Sequence, residues 1–238
     1  MVYTPDKSTW FNPNIEYLFN TEIIEYDMQS AGLSLIKKYQ LLDADEIFKL
    51  NNLSKGELNV AVGKIQRDRP GFSHLLLEKF TLARGEFILD NKLTDDQIVS
   101  VKKDAIFTVG RCPITNFGMV TFIPKHTYSS YVRFTGNSNI EIYYSDTDLE
   151  IKGIGEIGLS RHRLYMVDFI RRIIKLLESR DPSTRRYLRT FIDSYRANEL
   201  DDGYYLEFNN LSQSINPVFN FTNLIVPFIQ IAVREISP

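Results

Sequence analysis

Between residues 118 and 153, aromatic and β-branched residues alternate with polar ones, and this alternation limits most strongly how the chain can fold. Because successive side chains of a strand point to opposite faces of a sheet, the alternation predicts three or four antiparallel strands. From residue 161 onward, apolar residues recur at helical spacing instead, as between His162 and Glu178. A strand-rich block followed by a helical block predicts an α+β fold with an antiparallel sheet and packed helices.

The first 109 residues predict one strand, several helices and a hairpin. Residues 21–27 have strand composition and residues 30–39 have helical spacing, so Asp27 would lie where the strand ends. Further helical patterns cover residues 43–50, 55–66 and 72–91. Residues 98–109 then predict a hairpin with Asp104 at a strand turn. Two acidic residues that are distant in the sequence are therefore both expected at strand ends.

Basic residues are concentrated in one segment, although the net charge of the chain is only -2. Residues 161–196 contain 10 Lys and Arg residues against 4 Asp and Glu residues. Such a basic segment is typical of a surface that meets a polyanion, but it also suits a solvated helix face, so both interpretations stay open. The six side chains considered for this surface are Arg171, Arg172, Lys175, Arg185, Arg186 and Arg189.

Composition excludes several classes of protein. The apolar content of 43% in 238 residues is enough for a sizeable core, and no apolar run approaches the roughly 18 residues of a membrane span. The N-terminus has no secretory pattern, and Cys112 is the only cysteine, so we expect a cytoplasmic protein without an internal disulfide. The three histidines lack zinc-site spacing, and Cys112 has no obvious general base nearby in the sequence.

The two acidic residues at strand ends suit one chemistry in particular. Phosphoryl transfer needs carboxylates that hold Mg²⁺ and cations that neutralise a triphosphate, because catalysis there is mostly positioning and charge stabilisation. Asp27 and Asp104 are the candidate carboxylates. Either residue could instead be a turn former or a helix cap, which is the commoner role of an Asp at a strand end.

Six short segments, in order along the chain, resemble motifs of the family B DNA polymerases. They are Asp27–Ile36, Lys64–Gly71, Thr81–Gly85, Lys102–Phe107, Lys125–Tyr128 and Lys152–Ile154. The first segment keeps the family's Asp with Ser at the third and seventh following positions, here Ser30 and Ser34. The fourth segment keeps the second, metal-binding Asp of the family's Asp-Thr-Asp motif as Asp104 and lacks the first.

The resemblance implies a palm-like sheet with packed helices and reduced fingers over residues 1–160, followed by a helical thumb-like region over residues 161–238. Asp27 and Asp104 would bind Mg²⁺ and be catalytic, in a minimal polymerase or primase of phage or mobile-element type. The residues implied for the incoming nucleoside triphosphate are Lys64, Arg67, Arg69 and Ser30. Those implied for the nucleic acid are Lys125, Tyr128, Lys152, Arg171, Arg172, Lys175, Arg185 and Arg186.

The chain also departs from the family pattern. Gly32 stands where the family has the aromatic residue that excludes ribonucleotides, so ribonucleotide use becomes conceivable. The Asn and Tyr of the family's fingers motif are absent, the two Asp motifs are unusually close in sequence, and there is no room for a proofreading exonuclease.

Three other functions remain open from the sequence. The first is a non-catalytic nucleic-acid-binding or assembly protein built on a degenerate palm, and the second is a structural virion-type protein with no nucleic-acid affinity. The third is a dinucleotide site at residues 153–158, which match G-x-G-x-x-G but follow an acidic, amphipathic strand. The apolar residues from Leu224 to Val233 permit a protein partner or a homo-oligomer.

Overall fold

The computed structural model describes residues 8–134, 140–153, 156–201, 204 and 222–236, and its fold is α+β as the sequence predicts. The ten strands of the described residues form two sheets. They are β1 Trp10–Phe11, β2 Tyr17–Leu18, β3 Ile23–Met28, β4 Ile98–Val101, β5 Ala105–Val109, β6 Asn116–Phe117, β7 Val120–Tyr128, β8 Ser130–Phe134, β9 Ile140–Tyr144 and β10 Leu149–Lys152.

Seven α-helices lie in the same described ranges, close to the helical patterns of the sequence. They are α1 Ala31–Lys38, α2 Ala44–Asn51, α3 Lys55–Asp68, α4 Phe72–Asp90, α5 Glu156–Glu178, α6 Ser183–Arg196 and α7 Thr222–Glu235. Local capping explains where two of these helices begin. The Asp43 side chain accepts a hydrogen bond from the Glu46 N–H at 2.8 Å before α2, and Ser54 forms a capping box with Glu57 before α3.

The chain divides into two compact units. The first unit comprises Met1–Ile15 and Thr21–Thr127, and the second comprises Glu16–Asn20 and Tyr128–Pro238. The boundary predicted near residue 160 falls inside the second unit, because strands β8 and β9 share one apolar core with helices α5, α6 and α7. A sequence pattern cannot locate such a boundary, since it depends on which elements pack together.

In the first unit, a six-stranded sheet with the order β1-β4-β5-β3-β7-β6 shares one core with helices α1 to α4. Alternate residues of β3 enter that core, and Phe87 of α4 lies at its centre with no exposed surface. The Phe87 ring lies 5.2 Å from the Tyr26 ring and 4.7 Å from the Phe122 ring. Burying each such ring stabilises the fold by about 1.5–3 kcal/mol, which fixes β3 firmly beneath α4.

In the second unit, a four-stranded antiparallel sheet has the order β10-β9-β8-β2. Val132 and Ile142 on one face of that sheet pack with Phe169 of α5 and Phe228 of α7. The predicted strands of residues 118–153 and the predicted helices after residue 161 are therefore observed, and strands β8 and β9 pack with those helices. None of the described helices is long and apolar enough to cross a membrane.

Candidate functional site

The end of β3 and the turn between β4 and β5 lie side by side in the first unit. Strands β3 and β5 are antiparallel, and Asp27 is paired with Ala105, the residue that follows Asp104. The Met28 N–H donates to the Asp104 carbonyl oxygen at 2.8 Å, which extends the ladder by one further bond. The sequence predicted an acidic residue at each of these positions, and the pairing of strands brings the two backbones together.

A buried arginine holds the β4–β5 turn. The Arg84 side chain has no exposed surface, and its Nη1 donates to the carbonyl oxygens of Lys102 at 3.0 Å and Lys103 at 2.8 Å. Its Nη2 donates to the Thr81 hydroxyl at 3.1 Å, one helical turn earlier on α4. These three bonds tie the turn to the helix, and they offset part of the cost of burying a guanidinium.

A cavity of about 620 Å³ opens where these elements meet. We call it the carboxylate cavity, and it is lined by residues 27–33, by Lys103 and Asp104, and by one face of α3. Leu76 and Phe80 of α4 contribute an apolar wall. Asp27 is partly exposed and Asp104 is exposed, so both acidic residues border a solvent-filled space. The structure therefore brings together the two acidic residues on which the sequence interpretation depends.

Two carboxylates are a small ligand set for a metal ion. Within the part of the chain that the structure describes, no group of three or more His, Cys, Asp or Glu residues could hold one. Mg²⁺ nevertheless keeps several waters and is commonly bound by one or two carboxylates together with substrate phosphates. The donors at the carboxylate cavity are thus suited to an ion that arrives with a phosphorylated ligand, and unsuited to a closed structural site.

The turn from β3 into α1 also borders the cavity and includes Ser30, one of the predicted nucleotide-binding residues. Ser30 adopts a left-handed backbone with a φ of 47°. The turn is fixed by two hydrogen bonds: the Gln29 N–H donates to the Thr121 carbonyl at 2.8 Å, and the Ser34 hydroxyl donates to the Gln29 carbonyl at 2.7 Å. Gly32 follows on the same wall, where it presents no side chain to the cavity.

The other predicted nucleotide-binding residues are not brought to this cavity. Lys64, Arg67 and Arg69 are exposed, and none is among the described residues that line it. Arg69 instead forms an ion pair with Glu46, and the Nε of Arg67 lies 3.4 Å from its neighbour Asp68. The reason is helical periodicity, because Lys64 lies on the face of α3 opposite to the one that the cavity uses.

Three predicted nucleic-acid contacts precede the basic helices, and they differ in accessibility. Lys125 is exposed on β7. Tyr128 has only 2% of its surface exposed, and its hydroxyl donates to Glu150 at 3.0 Å, so its burial argues against a contact with a nucleic acid. Lys152 forms an ion pair with Glu150 at 3.3 Å and lies over the Tyr143 ring.

Most of the predicted basic helix residues have partners in their own unit. Arg171 donates to the Asp146 carbonyl at 3.1 Å, and Lys175 forms an ion pair with the Asp146 carboxylate at 3.2 Å. The hydrogen bond from Lys175 lowers the pKa of Asp146 and, reciprocally, raises the pKa of Lys175. Arg172 stacks over the Tyr187 ring, and Arg185 donates to a carbonyl of α7 at 3.0 Å.

Arg186 and Arg189 are different, because both are exposed on α6 and no ion pair holds either of them in the described ranges. Asp146 itself is paired with Lys175. The glycine-rich stretch at residues 153–158 lies partly outside the described residues, and Gly153 has a φ of 87°.

Sequence reasoning missed four polar residues of the cavity. Lys55, Asn59 and Gln66 lie on the α3 face that lines it, and Lys103 lies in the β4–β5 turn. A signal for the first three existed, because they share their helical face with the apolar residues Leu58 and Val62. The sequence analysis also missed the role of Arg84, although Arg84 stands in Thr81–Gly85, one of the segments that resemble a polymerase motif.

Comparison with known proteins identifies a family for this chain. The model of the family described as bacteriophage PBS1 gene 130 protein matches residues 2–227, which is nearly the whole chain. A search of curated proteins found no match.

Proposed function

The chain belongs to the family of bacteriophage PBS1 gene 130 proteins, and we propose that it is a metal-dependent nucleotidyltransferase that extends a nucleic-acid strand. Its active site is the carboxylate cavity, and its activity is that of a minimal DNA polymerase or a primase. The substrates are nucleoside triphosphates and a nucleic acid, and the protein acts in the cytoplasm of the host cell, where both are found.

One observation carries this proposal: Asp27 and Asp104 border the same cavity, at the ends of paired strands. A two-metal nucleotidyl transfer needs ligands for its ions at one place, and carboxylates bind Mg²⁺ together with substrate phosphates. The partial resemblance to the family B polymerase palm supports the same conclusion, since both residues stand at positions that match the metal-binding aspartates of that family.

Four residues at or next to the cavity have a part in the proposed reaction. When bound by Asp27 and Asp104, Mg²⁺ would lower the negative charge on the phosphates. The 3′-hydroxyl of the strand loses its proton to water while its oxygen forms a bond to the α-phosphorus. The bond from the α-phosphorus to the oxygen that bridges to the β-phosphate breaks, so pyrophosphate leaves. Arg84 keeps the turn of Asp104 in place, and the Ser30 hydroxyl is available to a phosphate oxygen.

The test is nucleotide incorporation on primed and unprimed templates, with deoxyribonucleotides and ribonucleotides supplied separately because Gly32 leaves the sugar preference open. We expect wild-type activity that falls at least about 100-fold in Asp27→Ala and in Asp104→Ala, as when one charge-stabilising group is removed from an active site. The matched control is Asp90→Ala, which changes an exposed acid at the end of α4, outside the cavity. Equal incorporation by all four proteins, or none by the wild type, would rule out the catalytic proposal.

A second candidate function is non-catalytic nucleic-acid binding in an assembly. Arg186 and Arg189 favour it, since both are exposed and neither has an ion-pair partner in the described part of α6 or around it. This function requires salt-sensitive binding of nucleic acid that Asp104→Ala leaves unchanged. Binding that is absent at physiological salt would eliminate it and leave a structural virion-type protein.

A further inference from the structure

We infer that Lys55 and Lys103 hold the polyphosphate of a nucleoside triphosphate in the carboxylate cavity, in the role that the sequence assigned to Lys64. The inference rests on the proposed function, because it names the residues that bind that substrate. Both lysines border the cavity together with Asp27 and Asp104, and Lys64 is not among its described lining residues.

The geometry of α3 separates the two lysines of that helix. Positions 55, 59, 62, 63 and 66 all border the cavity, and their spacing of 4, 3, 1 and 3 residues defines one helical face. Lys64 lies about 180° around the helix from the middle of that face, at 100° per residue. Since Lys55 is the first residue of α3 and is exposed, its ammonium group has the length and freedom to reach a ligand in the cavity.

Lys103 is placed by the turn that also carries Asp104. Its carbonyl oxygen accepts the hydrogen bond from Arg84, and its Nζ lies 5.1 Å from the centre of the Phe80 ring, which borders the same cavity. The buried Arg84 therefore positions an anion-binding side chain and a metal-binding side chain at once. A cation next to a carboxylate at one turn matches a ligand that carries both phosphates and Mg²⁺.

Neither lysine is neutralised by the described part of the protein. In the ranges that the structure describes, no carboxylate lies within 4.0 Å of the Nζ of Lys55 or Lys103. The two ammonium groups thus border the cavity without an ion pair in those ranges. Mg²⁺ bound to a triphosphate offers phosphate oxygens to the lysines and a cation to the carboxylates.

The test is calorimetric titration of the full-length protein with ATP and, separately, with inorganic tripolyphosphate, both in excess Mg²⁺. We expect Lys55→Met and Lys103→Met each to weaken binding of both compounds about 10-fold to 100-fold. This is the loss of affinity expected when one charge-assisted hydrogen bond is removed. Lys64→Met is the matched control, and it should bind as the wild type does. Both target lysines are exposed, so neither change should unfold the protein.

Three results would overturn the inference: no ATP binding by the wild type, equal affinity in all variants, or weaker binding only in Lys64→Met. If tripolyphosphate affinity is unaffected while ATP affinity falls, the lysines contact the nucleoside and the polyphosphate assignment is wrong. These measurements need no turnover, so they stand apart from the incorporation assay. Loss of ATP binding in the lysine variants would support the inference even if no variant incorporated nucleotides.

Discussion

The carboxylate cavity of the first unit and the basic helices of the second unit use charged residues in opposite ways. At the cavity, one buried arginine organises a turn, and the charged groups that the turn presents are exposed. On the basic helices, by contrast, Arg171 and Lys175 are engaged with Asp146, and Arg172 is engaged with an aromatic ring. A count of charges along the sequence therefore overestimates how many charged groups are available for binding on the basic helices. It underestimates that number at the carboxylate cavity.

The largest effect that tests this difference is expected at Arg84. Replacement by Met removes hydrogen bonds to two carbonyl groups and to the Thr81 hydroxyl, so we expect the free energy of unfolding to fall by about 3 kcal/mol. The measurement is equilibrium denaturation by urea. Arg67→Met is the control, because its side chain is 76% exposed, and it should change stability by less than about 0.5 kcal/mol. Equal losses in the two variants would show that Arg84 does not organise the turn.

A smaller effect separates the basic residues that have partners from those that do not. If the protein binds nucleic acid, Arg186→Gln with Arg189→Gln should weaken binding about 10-fold and reduce the slope of log affinity against log salt by about 2. The paired control, Arg171→Gln with Lys175→Gln, removes the same charge from residues that are already engaged. It should change affinity and slope less. Fluorescence anisotropy at several salt concentrations measures both, and the opposite ranking would contradict the assignment of partners.

The smallest effect concerns pH. Lys175 lowers the pKa of Asp146, so the carboxylate is stabilised in the folded state. That contribution is present above the unfolded pKa of Asp146 and is lost as the pH falls through its lower folded pKa. Both side chains are more than half exposed, which makes the contribution to stability slight. An NMR titration should find the Asp146 pKa below the usual range in the wild type and closer to it in Lys175→Met. An unchanged pKa in that variant would show that the ion pair does not form in solution.

Much of the fold followed from local patterns. The strand ending at Asp27, the four helical patterns before residue 91 and the turn at Asp104 were all predicted within a few residues of their observed positions. Those predictions succeeded because helices and strands differ in the period at which apolar residues recur. The boundary between units and the burial of Tyr128 were not predicted, because both depend on which distant elements share a core.

The sequence alone determined the α+β class, the order of elements and the location of two acidic residues at strand ends. Tertiary structure decided which cations share the cavity with those residues, placing Lys55 and Lys103 there and Lys64 on the opposite face of α3. It also decided which basic residues already contact a carboxylate, a carbonyl group or an aromatic ring of the protein. The physical reason is that periodicity acts over a few neighbouring residues, whereas the surroundings of a side chain are set by pairing and packing between segments that are far apart in the chain.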